Sequence, residues 1–141
     1  MIPEYYNNED EIRSEFNKEF ISLWGGWLGG GEYYKLDEVT ESEWSRFNHL
    51  LKLLHCQYEM YVVNWDNREA KLVDNIDDFL PTYEEAMDRG SANFSQFIIP
   101  ELNAVLTEEW DYTFIFWHIN NGSREKLEPW IKKAKLFNFR D

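Results

Sequence analysis

From Tyr112 to Ile119 the chain alternates without a break. Tyr112, Phe114, Phe116 and His118 fall on one side of an extended backbone, and Thr113, Ile115, Trp117 and Ile119 on the other. Both sides are mostly apolar. A strand that is apolar on two faces must be covered on two faces, which places residues 111–119 inside a sheet rather than at its edge. The expected class is therefore α+β: a mainly antiparallel sheet of four to five strands, packed against three longer helices and one short one. At 141 residues the chain reads as a single domain, 1–141, and its seven Trp, eight Tyr and ten Phe supply enough apolar area for a core without disulfides or structural metal.

Residues 8–24 read as the first helix, because Asn8 and Glu11 have capping-box spacing and Ile12, Phe16, Phe20 and Trp24 recur every fourth position. The tract Gly25-Gly26-Trp27-Leu28-Gly29-Gly30-Gly31 ends it as a permissive loop. Thr40-Glu41-Ser42-Glu43 opens a second helix that runs to about His55, with Trp44, Phe47, Leu51 and Leu54 inward. Residues 57–65 and 69–75 form a hairpin about Asp66-Asn67-Arg68. Pro81, Thr82 and Glu85 begin a short helix that Gly90 stops. Residues 94–99 and 104–107 are strands divided by Pro100, which suits a bulge, an edge or a break. The last helix spans 124–135; Pro129 either sets its start near Lys126 or kinks it, and Trp130, Ile131, Ala134 and Phe137 form its packing side.

The net charge of -13, from 27 acids against 14 bases, repels nucleic acid and anionic membranes and attracts cationic partners. The exception is residues 124–141, net +3 against -16 for residues 1–123. Lys132, Lys133 and Lys135 there read as a solvated face that suits the negative end of a helix dipole. No apolar run approaches the length of a membrane span, and the first residues carry neither a basic region nor an apolar leader. The single cysteine, Cys56, follows Leu53-Leu54-His55 and reads as a small buried thiol, which fits a reducing compartment; a cytoplasmic location is expected.

No motif names a reaction. The glycine tract lacks the lysine and hydroxyl residue of a P-loop and reads as a loop packed by its tryptophan. His49, His55, His118 and Cys56 show no metal-ligand spacing, and Cys56 and His118, which could be drawn as a nucleophilic pair, read as ordinary core or half-core residues. No cofactor, metal or catalytic residue is expected. Asp74, Asp77, Asp78, Glu84, Glu85 and Asp88 are the densest acidic region and lack the ligand order of a calcium loop. Glu108, Glu109 and Asp111 flank Trp110 at the turn into the central strand. These ten residues suit a platform for a basic protein, with Trp110 either an aromatic anchor among charges that set specificity or a core residue, and with the 74–88 acids otherwise a solvated face. Two other classes stay open: a small carboxylate- or metal-dependent hydrolase built on the same acids, and a structural adaptor subunit.

Ile99-Pro100-Glu101-Leu102-Asn103-Ala104-Val105, leading to Glu109-Trp110-Asp111-Tyr112-Thr113, the apolar strand and the closing helix, carries a family likeness. With these features the chain resembles the small, acidic, tryptophan-rich immunity proteins that bacteria make against polymorphic toxins, the contact-dependent growth-inhibition type in particular. The resemblance implies a non-enzymatic cytoplasmic inhibitor that binds one cognate toxin domain, often a basic nuclease, at or beside its active site.

Overall fold

A computed structural model describes residues 1–90 and 93–140. Its strands are β1 (Asn17–Ser22), β2 (Tyr61–Asn64), β3 (Glu69–Leu72), β4 (Gln96–Ile99), β5 (Ala104–Glu109), β6 (Thr113–His118) and β7 (Phe137–Phe139). They form one antiparallel sheet in the order β3-β2-β4-β5-β6-β1-β7. The class is α+β, but with seven strands the sheet exceeds the four to five expected. The apolar strand of residues 111–119 is β6, interior as its two-sided hydrophobicity requires, paired over six residues with β5 and six with β1.

One face of the sheet carries α2 (Glu41–Gln57) and α4 (Asn121–Lys133). Phe47, Leu50 and Leu54 of α2 and Leu127 and Ile131 of α4 meet Ile21, Phe97, Leu106 and Phe116, all buried. Each such side chain contributes about 1.5–3 kcal/mol by leaving water. The other face is covered by the N-terminal segment. Ile2 and Tyr5 of α1 (Ile2–Tyr5), with Tyr6 and Phe16, pack on Ile98 and Val105. Further along that face Trp27 lies 4.7 Å from the Phe20 ring and 5.1 Å from Phe139, centroid to centroid.

Local signals decided α2 and α3 (Tyr83–Asp88). Thr40 N–H donates to Glu43 Oε2 at 2.8 Å. Thr82 Oγ1 accepts from Glu85 N–H while Thr82 N–H donates to Glu85 Oε1, both at 3.2 Å. These are reciprocal caps that satisfy first-turn amides. The 57–75 hairpin also forms, with shorter strands and Arg68 in a left-handed conformation at its turn. Pro100 starts a 3-10 turn, Pro100–Leu102, and Asn103 at φ 49° redirects the chain into β5.

Four further expectations need correction. Residues 8–24 are not a helix. Asn7, rather than Asn8, accepts from the amides of Glu9 and Glu11, a local turn that competes with helix formation. Tyr6 then bridges Ile12, and residues 17–22 extend between β6 and β7. The every-fourth-residue pattern was a coincidence of two elements. The second correction is β7, whose Phe137 was expected on the packing side of the last helix. Its Phe137 is 51% exposed on an edge strand, not packed on a helix.

Third, α4 starts at Asn121, five residues before Lys126, because Asn120 Oδ1 accepts from Ser123 N–H at 2.9 Å and caps it. Pro129 sits inside the helix; it and Glu125, whose carbonyl loses its donor, are both exposed, so water can take that bond. Fourth, Cys56 is exposed rather than buried. It stands two positions past Leu54, on the far side of α2 from the core-facing stripe.

Candidate functional site

β5 and β6 are joined by Trp110, Asp111 and Tyr112, with Glu109 paired to Thr113. Asp111 and Tyr112 both adopt left-handed backbone, φ 58° and 57°. For aspartate this is common in turns; for a bulky tyrosine it is an outlier that costs on the order of 1–3 kcal/mol and persists only where surrounding contacts impose it. The contacts are present. The Tyr112 ring stacks on Tyr83 at 6.4 Å and 9°, its hydroxyl is 2.9 Å from the Tyr83 hydroxyl, and Trp24 and Trp44 meet it edge-on. Burial first, and then the Tyr83 hydroxyl, hold the Tyr112 phenol far above its ordinary value, so it stays a neutral hydrogen-bonding group. With Tyr112 drawn inward, Trp110 is left 61% exposed, leaning on Phe94 at 4.8 Å.

The two glutamates before the turn have separate partners, since neighbours on a strand point to opposite faces. Glu108 is ion-paired with Arg89, and its Oε1 accepts from Ser95 N–H at 3.0 Å. Burial raises its carboxyl above the usual range, against the pull of the Ser95 amide and the Arg89 guanidinium. Glu109 accepts from Thr107 Oγ1 at 2.8 Å, and that hydroxyl accepts in turn from Trp117 Nε1 at 2.9 Å.

Two hollows flank the turn. One, of about 230 Å³, is lined by Met87, Arg89, Phe94, Glu108, Trp110 and Tyr112 among others. The second, of about 310 Å³, is lined by Trp24, Trp27, Tyr33, Trp110 and Asp111 among others. Leu36, Trp110 and Asp111 border both. The exposed aromatic residues among those described are Trp27, Tyr33, Tyr34, Trp110 and Phe137. Trp27, Tyr33 and Trp110 share the second hollow; Tyr34 adjoins Tyr33 in the 3-10 segment Gly30–Glu38; Phe137 pairs with Ser22, itself opposite Thr113. They gather at one end of the sheet.

Of the ten acidic and aromatic residues singled out in the sequence, Glu108, Glu109, Trp110 and Asp111 meet at this turn. Asp88 is exposed at the end of α3, next to the Arg89 that lines the first hollow. Glu84 and Glu85 occupy the first turn of α3, where Glu85 is a cap. Asp74, Asp77 and Asp78 lie elsewhere, exposed, with Asp77 Oδ1 4.0 Å from Lys52 Nζ of α2. The ten are therefore not one patch. Among the described residues no group of three or more His, Cys, Asp or Glu side chains could hold a metal ion. His55 Nε2 lies 2.9 Å from the Val73 carbonyl, while His118 is buried at the far end of β6.

Sequence reading missed the contribution of Trp27, Tyr33, Leu36, Met87 and Arg89 to these walls. One signal was available: Trp27 and Tyr33-Tyr34 sit in and beside a glycine tract with no apolar period, where no buried stripe claims them. No helix among the described residues is long and apolar enough to cross a membrane. No family model matches the chain, and neither a curated protein nor a solved structure is significantly similar to it.

Proposed function

We propose that this chain is an immunity protein of the kind it resembles, a cytoplasmic inhibitor without enzymatic activity that binds a basic toxin domain. One observation carries the reading: Trp110 stands exposed between Glu109 and Asp111 on a turn whose backbone is forced by inward packing of Tyr112. Exposed aromatics with clustered rings around them are the residues that dominate binding energy at protein interfaces. The net charge of -13 supplies a field that speeds encounter with a cationic surface. Glu109, Trp110 and Asp111, with Asp88 nearby, form the contact set under this reading; Glu108, expected among the contacts from the sequence, is instead taken up by Arg89 and Ser95 N–H beneath the turn, and Asp74, Asp77, Asp78, Glu84 and Glu85 add long-range attraction.

The test is co-expression with the product of the adjacent reading frame. A complex should co-purify, the partner should be toxic alone, and its association rate should fall about tenfold or more between low and physiological salt. A neighbour that neither binds nor harms cells would remove the proposal. A tight complex with a salt-independent association rate would remove its electrostatic half.

A further inference from the structure

The two hollows beside Trp110 differ in one respect. The first already holds an arginine: Arg89 is ion-paired with Glu108, and its guanidinium carbon lies 5.5 Å from the centre of the Phe94 ring. The second has aromatic walls, Trp24, Trp27, Tyr33 and Trp110, and a carboxylate, Asp111, but no cationic side chain lines it among the described residues. Asp111 itself is exposed and forms no ion pair among the described residues. We propose that this second hollow receives the guanidinium of one arginine side chain from a basic protein partner, an inference that deepens the proposed function and rests on it for the partner's identity.

The chemistry follows from the walls. A cation over an aromatic face is attracted by the ring quadrupole, and a second ring or a carboxylate adds to that attraction. Arginine fits better than lysine because its planar, weakly hydrated head can stack on indole while its N–H groups bond the carboxylate. An apolar side chain would cover Asp111 without compensating it. At about 310 Å³ the hollow is at the small end of ligand sites, the size for a side chain rather than a larger organic molecule. Trp27 is set as a wall by its contacts with Phe20 and Phe139, and Trp110 by Phe94, so part of the ordering is done before binding.

The experiment titrates the isotope-labelled protein with the blocked peptide acetyl-Gly-Arg-Gly-amide and with its citrulline counterpart, which has nearly the same shape and no charge. The indole N–H resonances of Trp24, Trp27 and Trp110 report. The arginine peptide should shift them saturably with a Kd on the order of millimolar, and citrulline should bind about tenfold or more weakly. Asp111→Asn, which keeps the left-handed turn, and Tyr33→Ala, at an exposed ring, should each weaken arginine several-fold with the remaining spectrum unchanged. Equal responses to arginine and citrulline, or shifts that never saturate, overturn the inference. Once a toxin partner is in hand, a complex indifferent to Asp111→Asn overturns this receptor and leaves the proposed function standing. Selective arginine binding in a chain whose neighbour proves harmless supports the receptor and removes the toxin.

Discussion

The two ends of β6 are built on opposite terms. At the His118 end polar groups are closed in. His118 is 2% exposed, stacked on Phe116, with Nδ1 3.0 Å from the Asn120 carbonyl. Beside it Glu19, equally buried, accepts from Asn138 Nδ2 at 2.7 Å and Arg140 Nε at 3.2 Å, and Ser123 Oγ donates to the Leu102 carbonyl at 2.6 Å. At the Tyr112 end the half-buried polar pair, Arg89 and Glu108, adjoins rings that remain open to water. Polar groups that are buried and bonded hold a fold together, whereas large rings left in water add little to it and are, under the proposed function, where a partner would bind. The contrast sets enclosed polar residues at one end of the strand against open rings at the other.

The comparison can be broken first at Arg89. Arg89→Ala leaves a half-buried carboxylate without its cation and should cost about 2–3 kcal/mol in urea unfolding, while Arg89→Ala with Glu108→Gln should recover most of it, because a neutral amide is far less costly to bury. Equal losses in the two variants would mean that Arg89 acts through packing. Trp110→Ala sharpens the contrast from the other side. It should weaken partner binding by about 2 kcal/mol, roughly 30-fold, with unfolding free energy unchanged within about 0.5 kcal/mol. A stability loss as large as the affinity loss would make Trp110 a core residue.

The smallest effect belongs to His118. Burial lowers its value below the ordinary 6.5, outweighing the Asn120 carbonyl and Glu19, which raise it, while Arg140 and Arg124 add to the lowering. The unfolded chain therefore takes up a proton that the folded chain refuses. Stability should fall as pH drops through 6.5, with a slope of at most about 1.4 kcal/mol per pH unit, and level off below the folded-state value. Unfolding curves of His118→Gln measured across that range should lack this component; an unchanged slope would place the effect on another group.

Some elements were legible because their causes are local. Thr40 with Glu43 and Thr82 with Glu85 cap helices through atoms three residues apart, and β6 announces itself by two apolar faces. The strand β1 was not, because what makes residues 17–22 extend is hydrogen bonding to residues 113–118 and 137–139, nearly a hundred positions or more away. The same distance hid half of the candidate site. Trp110 and its carboxylates share one turn and could be read together, but Trp27 and Tyr33 reach them only through the sheet.

By itself the sequence determined the charge field, the interior place of β6, and the two capped helices, since each depends on neighbours within a few residues or on sums that position does not alter. Tertiary structure decided the rest: seven strands instead of four to five, the burial of Glu19, and which rings stay in water. Those outcomes depend on long-range strand pairing, and pairing alone sets which side chains meet across the sheet.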